Sequence, residues 1–68
     1  MNKQLLLKKM EEKGISISEM YIRLGMSRSA FYRKCNGQSE FTLEEMKKIL
    51  SILGEEDPRE IFFAEKVS

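Results

Sequence analysis

A chain of 68 residues with a net charge of +1, one cysteine and no histidine excludes several function classes at once. Cys35 alone makes no intramolecular disulfide, and without histidine neither a familiar zinc site nor a histidine-based catalytic set can be assembled. No metal, no cofactor and no enzymatic activity are therefore expected. Unbroken apolar runs such as Leu5-Leu6-Leu7 fall far short of the roughly 20 residues of a membrane helix, so a cytoplasmic protein without a membrane partner is expected.

At this length folding buries only about 60% of the surface of the extended chain, which leaves room for one compact domain over residues 1–68. Leu6 and Met10, four apart between flanking lysines, predict a first helix over 3–13 that Gly14 ends, with Leu6, Met10 and one neighbouring leucine facing inward. Ser16-Ile17-Ser18-Glu19 has the spacing of a capping box, with Ile15 and Met20 as its hydrophobic staple. The second helix carries Met20 and Leu24 and stops at Gly25. Ser27 then caps a third helix, with Met26 and Phe31 as staple, running to about Cys35 before the left-handed stop of Asn36-Gly37.

Phe41-Thr42-Leu43-Glu44-Glu45-Met46 repeats box and staple. It opens a fourth helix with the stripe Leu43, Met46, Ile49, Leu50 and Leu53, closed by Gly54. Asp57-Pro58-Arg59-Glu60 supplies cap, first-turn proline and return carboxylate for a short fifth helix containing Ile61, Phe62 and Phe63. No strand pattern, repeat or linker interrupts the series. An all-α, compact five-helix bundle follows.

Charge is polarised along this bundle. From Met20 to Ser39 stand Arg23, Arg28, Arg33 and Lys34 with no acid, whereas from Glu40 onward eight acids face four bases. The basic stretch coincides with the second and third helices, whose short glycine-containing junction forces a steep crossing. With Phe31, Cys35 and Ala30 turned inward, Arg28, Ser29, Tyr32 and Arg33 share the outer face of the third helix. Arginine can bond guanine at two acceptors, and hydroxyls can bond bases or phosphates, so this face suits readout of a duplex major groove. The amides that open this helix at Ser27 favour a nearby phosphate. Lys34, on the flank, would neutralise another. Arg23 is open between a phosphate contact and a surface ion pair, and Tyr32 between base reading and partial burial beside Phe31.

Ser16-Ile17-Ser18-Glu19-Met20, Leu24-Gly25-Met26-Ser27-Arg28-Ser29, Asn36-Gly37 and Phe41-Thr42-Leu43-Glu44-Glu45 together resemble the lambda-repressor-like, Cro/XRE-type helix-turn-helix family, in particular its small phage-encoded members. The resemblance spans nearly the whole chain. It implies a central helix-turn-helix, a recognition helix opening at Ser27, and repressor-like regulation by a homodimer on a double-stranded DNA operator. Carried over by position, it implies base reading by Arg28, Ser29, Tyr32 and Arg33, and phosphate contacts around Ser16, Ile17, Asn36, Gly37 and Gln38. Tyr21 stands where the family usually has alanine at the helix crossing, which implies either a looser crossing or a tyrosine turned outward.

Ile61, Phe62 and Phe63 carry more apolar surface than one short helix readily buries. They are expected either to close the core or to form a dimer contact. A rival function uses Ile61 to Val67 to bind another protein, as in a small antirepressor or antitoxin-like subunit. The acids around them would repel DNA, so this end is expected to face away from it.

Overall fold

The first four helices each open on a side chain that satisfies the donors a helix start leaves unpaired. Asn2, Ser16, Ser27 and Thr42 sit in extended backbone, and their side-chain oxygens accept the amides of Leu5 (3.0 Å), Glu19 (3.0 Å), Ala30 (3.1 Å) and Glu45 (3.1 Å). The computed structural model describes residues 1–63. Within them lie α1 (Lys3–Glu12), α2 (Ile17–Leu24), α3 (Arg28–Cys35), α4 (Leu43–Leu53) and α5 (Arg59–Phe62), with no strand among the described residues. The all-α, five-helix architecture is as expected.

Local details depart from the sequence reading in four places. At Ser16 only half of the box forms, because the Glu19 carboxylate turns to Arg23 instead of returning to the cap; Thr42 and Glu45 make the complete box. Leu43 is 66% exposed although it shares a helical face with buried Leu50, since as the first residue of α4 it overhangs the end of the packed stripe. α5 begins at Arg59, with Pro58 in the capping position. Asp57 does accept the Arg59 amide (3.0 Å), but Glu60 makes no return bond and lies 4.0 Å from Lys9. On α1, both Leu5 and Leu7 lean on the core, rather than one of them.

Gly25 makes the α2–α3 turn possible. Its φ of +73° lies in the left-handed region, and the amides of Gly25 and Met26 donate back to the carbonyls of Ile22 (3.0 Å) and Tyr21 (3.1 Å). Nothing lies within 4 Å of where a Cβ would stand, so backbone conformation rather than space requires glycine here.

One core joins all five helices: Leu6, Met10, Met20, Leu24, Phe31, Cys35, Phe41, Ile49, Leu50, Leu53, Ile61 and Phe62 are buried together. The staple residues Ile15, Met26 and Met46 pack around it. α1 lies against α5, and α2 against α3 and α4. The Asn2 amide donates to the Ile61 carbonyl (2.6 Å), and Lys9 pairs with Glu55 (3.2 Å), so the two ends of the described chain are tied together. Phe31 stands at the centre, its ring 6.4 Å from Tyr21, 6.2 Å from Tyr32 and 6.0 Å from Phe41, which in turn lies 6.0 Å from Phe62.

Ile61 (1% exposed) and Phe62 (5% exposed) therefore close the core and are not available as a dimer contact; only Phe63, at 49%, remains at the surface. The Phe62 ring turns inward against Phe41, and the Ile61 carbonyl is held by the Asn2 amide. Val67 and the rest of the segment after Phe63 lie outside the described residues.

Truncating a buried phenylalanine costs about 3–5 kcal/mol, a large share of the stability available to so small a chain. Phe31→Ala is expected to abolish cooperative thermal unfolding by circular dichroism, whereas Ser29→Ala, two residues away and exposed, is expected to melt like the parent. Equal shifts would mean that α3 is turned differently.

Candidate nucleic-acid interface

Burial of Phe31 and Cys35 fixes the rotation of α3 about its axis. Arg28, Ser29 and Arg33 are consequently exposed, and Tyr32 is half-buried at their edge. The Arg28 guanidinium lies 5.5 Å above the Tyr32 ring, and that ring packs edge-on against Phe31. Of the two expectations, partial burial is what the structure shows: one side of the Tyr32 ring belongs to the core margin, while the other supports the Arg28 guanidinium on the outer face. Stacking on an aromatic ring limits the freedom of a long side chain before it meets a ligand. Arg33, with no such ring beneath it, extends from the next turn.

The residues around this face behave differently from one another. Ser16 and Ser27 are exposed, with hydroxyls engaged as caps. Ile17 packs its side chain against the core, which leaves its backbone amide, in the first turn of α2, as the group that could meet an anion. Asn36, Gly37 and Gln38 are exposed at the end of α3, where Gly37 takes a φ of +86° and the Gln38 amide donates to the Arg33 carbonyl (2.9 Å). Arg23 forms a surface ion pair with Glu19 (2.9 Å), one helical turn earlier. Tyr21 does not turn outward: it is half-buried with its ring against Phe31, at the margin of the α2–α3 crossing.

Lys34 does not project freely. Its Nζ donates to Glu45 Oε1 (2.7 Å) and lies 5.9 Å from the Phe41 ring centroid. The same carboxylate oxygen accepts the Thr42 amide (2.9 Å), so one acid caps α4 and anchors the end of α3. Burial pushes the Glu45 carboxyl up, but the hydrogen bonds from Lys34 and Thr42 and the lysine's charge outweigh it, holding the group below its ordinary 4.5. Burial pushes the Cys35 thiol up to about 11, against a smaller opposing effect of Lys3. A neutral, buried thiol is a core residue rather than a nucleophile.

Two participants escaped the sequence reading. Glu45 was visible as half of a capping box, but its pairing with Lys34 joins residues on different helices. Lys3 reaches from α1 to Asn36 Oδ1 (2.8 Å), across a separation that no local pattern encodes. Asn2, the α1 cap, was readable as an asparagine heading an apolar-periodic segment.

Two helices crossing at a glycine turn, the second presenting arginines outward, define a helix-turn-helix protein. A model of the Cro/C1-type HTH DNA-binding domain matches residues 6–66. The chain belongs to that family, and its general role is that of a regulator that binds double-stranded DNA. No curated protein and no solved structure matches the chain significantly.

A carboxyl whose folded pKa lies below its unfolded value stabilises the fold above the unfolded value, and that contribution fades as the pH falls through the folded one. Glu45 should thus support the α3–α4 junction above about pH 4.5 and progressively cease to do so on acidification. Glu45→Gln is expected to lower the melting temperature at pH 7 and to flatten its fall in acid; for a chain of this size about 1 kcal/mol corresponds to roughly 4–8 °C. An acid profile parallel to the parent's would exclude Glu45 as the titrating support.

Proposed function

We propose that the chain is a transcriptional regulator of phage or mobile-element type, a single helix-turn-helix domain over residues 1–68 that acts in the cytoplasm by occupying an operator. The observation that carries this reading is the outer face of α3, where Arg28, Ser29, Tyr32 and Arg33 stand together while Phe31 and Cys35 hold the opposite face in the core. Among these, Arg28 in the first turn is assigned a guanine, which its planar fork can bond at two points. Ser29, Tyr32 and Arg33 complete the base-reading set.

The amides opening α2 and α3 at Ser16-Ile17 and Ser27, and the loop Asn36-Gly37-Gln38, are assigned to phosphates. Arg23 is assigned a further phosphate, because an exposed pair such as Arg23–Glu19 contributes about 1 kcal/mol or less and can exchange partners. Lys34 is assigned to holding α3 against α4, since Glu45 already neutralises it.

One α3 helix spans too few base pairs for operator-level affinity. We therefore propose that two copies bind half-sites about 34 Å apart, one turn of the duplex. Phe63 is the remaining exposed member of the C-terminal apolar set that such a pair could use.

Selection of binding sites from random duplex DNA tests the reading, and an enriched two-part site is the expected result. Enrichment of no sequence, together with stoichiometric capture of a protein partner, would replace it by the interaction-module reading. On the selected site, Arg28→Ala is expected to cost about 1–3 kcal/mol and to relax preference at one base position in each half-site. Lys34→Ala is expected to lower the melting temperature while leaving the salt dependence of binding nearly unchanged. If Lys34→Ala instead reduces the salt slope by about one unit, its ammonium meets a phosphate after all.

A further inference from the structure

The C-terminal end of α3 presents an electrostatic difficulty for the proposed docking. A helix ends on unpaired carbonyls equivalent to roughly half a negative charge, yet the loop assigned to a phosphate, Asn36-Gly37-Gln38, lies at that end. Lys34 cannot relieve the repulsion, because its Nζ is held by Glu45 at 2.7 Å. Another cation is delivered there by α1: Lys3 Nζ donates to Asn36 Oδ1 at 2.8 Å, and its charge is also felt at Cys35, the last residue of α3.

We infer that Lys3 is a DNA-positioning residue, which supplies the countercharge for one phosphate at the end of α3 and orients the Asn36 carboxamide to bind it. The inference rests on the DNA-binding reading above. Its chemical basis is that an ammonium only donates, so it selects the oxygen of the asparagine side chain. The Nδ2 group, a donor with two N–H bonds, is then directed away from Lys3. Asn36 is exposed, so that donor can meet a phosphate oxygen from solvent. The ammonium has three donors; one is committed to Asn36, and the others can serve the same phosphate. A mobile asparagine with no cation beside it would offer its oxygen as readily as its nitrogen, and a phosphate would meet the carbonyl-rich helix end uncompensated.

The test compares Lys3→Met, Asn36→Ala, the double variant and Lys8→Met, each in the full chain, binding the selected operator and a scrambled duplex over a range of salt concentrations. Lys8 is an exposed lysine on the same helix, so it measures the effect of net charge alone. Lys3→Met is expected to weaken both duplexes by similar factors and to reduce the slope of log affinity against log salt by about 0.9, one counterion's worth. Asn36→Ala is expected to weaken both duplexes, and the double variant to bind little worse than Lys3→Met, as for two groups serving one contact. Restoration of the slope by Lys3→Arg would support the assignment further.

The inference is overturned if Lys3→Met and Lys8→Met change the slope equally, since only net charge would then be at issue. It is also overturned if Lys3→Met lowers the melting temperature but leaves the slope intact, since Lys3 would then merely cap α3. Failure of the parent chain to bind any duplex would overturn the DNA-binding reading and this inference with it; binding by the parent with no effect of Lys3→Met would overturn this inference alone.

Discussion

Phe31 sits on the inner side of α3, fully buried, with Tyr21, Tyr32 and Phe41 ringed around it. A helix of eight residues has no independent stability in water, where isolated helices shorter than about 12–15 residues are marginal. α3 persists because Phe31 and Cys35, one turn apart, are committed to the core. That commitment also settles which residues face outward. Arg28, Ser29 and Arg33 have no buried partners, and their common direction is set by the packing on the other side of the same helix. In the proposed reading, affinity for a groove and stability of the fold are thus carried by opposite faces of one element.

The basic middle third of the chain overstates the charge on this face. Of its four cations, Arg23 pairs with Glu19 and Lys34 with Glu45, whereas Arg28 rests on the Tyr32 ring and Arg33 projects to the surface. The two ion pairs are not equivalent. Arg23–Glu19 is exposed on one helix and worth little, whereas Lys34–Glu45 is largely shielded and spans two elements. The second pair belongs to the scaffold. It fastens the end of α3 to the start of α4, so the orientation of the outer face depends on an acid from the acidic part of the chain. Segregation of charge by segment and segregation by surface are different properties, and only the first can be counted along a sequence.

Legibility followed distance along the chain. Caps at Ser16, Ser27 and Thr42, staples such as Met26 with Phe31, and the stop at Gly25 involve residues within five positions, and the helices form where these signals place them. The periodicity of α3 likewise separated its buried residues from its outer face. What escaped was partner choice between helices. Lys34 to Glu45 crosses 11 positions and Lys3 to Asn36 crosses 33, and no period encodes either. Leu43 shows the converse limit: helical phase placed it on the buried stripe, but phase says nothing about where the neighbouring helix ends.

The inward turn of Ile61 and Phe62 bears on how two copies could act together. A stable protein interface covers about 800 Å² on each partner, whereas a fully buried aromatic side chain contributes about 150–250 Å². Phe63 alone is well below that requirement even if buried completely. Ile22 and Leu43 are the other large apolar side chains exposed among the described residues, and they belong to α2 and α4 rather than to the C-terminal helix. In the proposed reading, then, the energy for pairing comes mainly from the duplex. Each copy is held by its own half-site, and the neighbouring copy meets it at a high effective concentration that makes a small contact sufficient. Phe41 packs on Phe31 of α3 and on Phe62 of α5, so in this reading one ring both supports α3 and withdraws apolar surface that a preformed dimer would need.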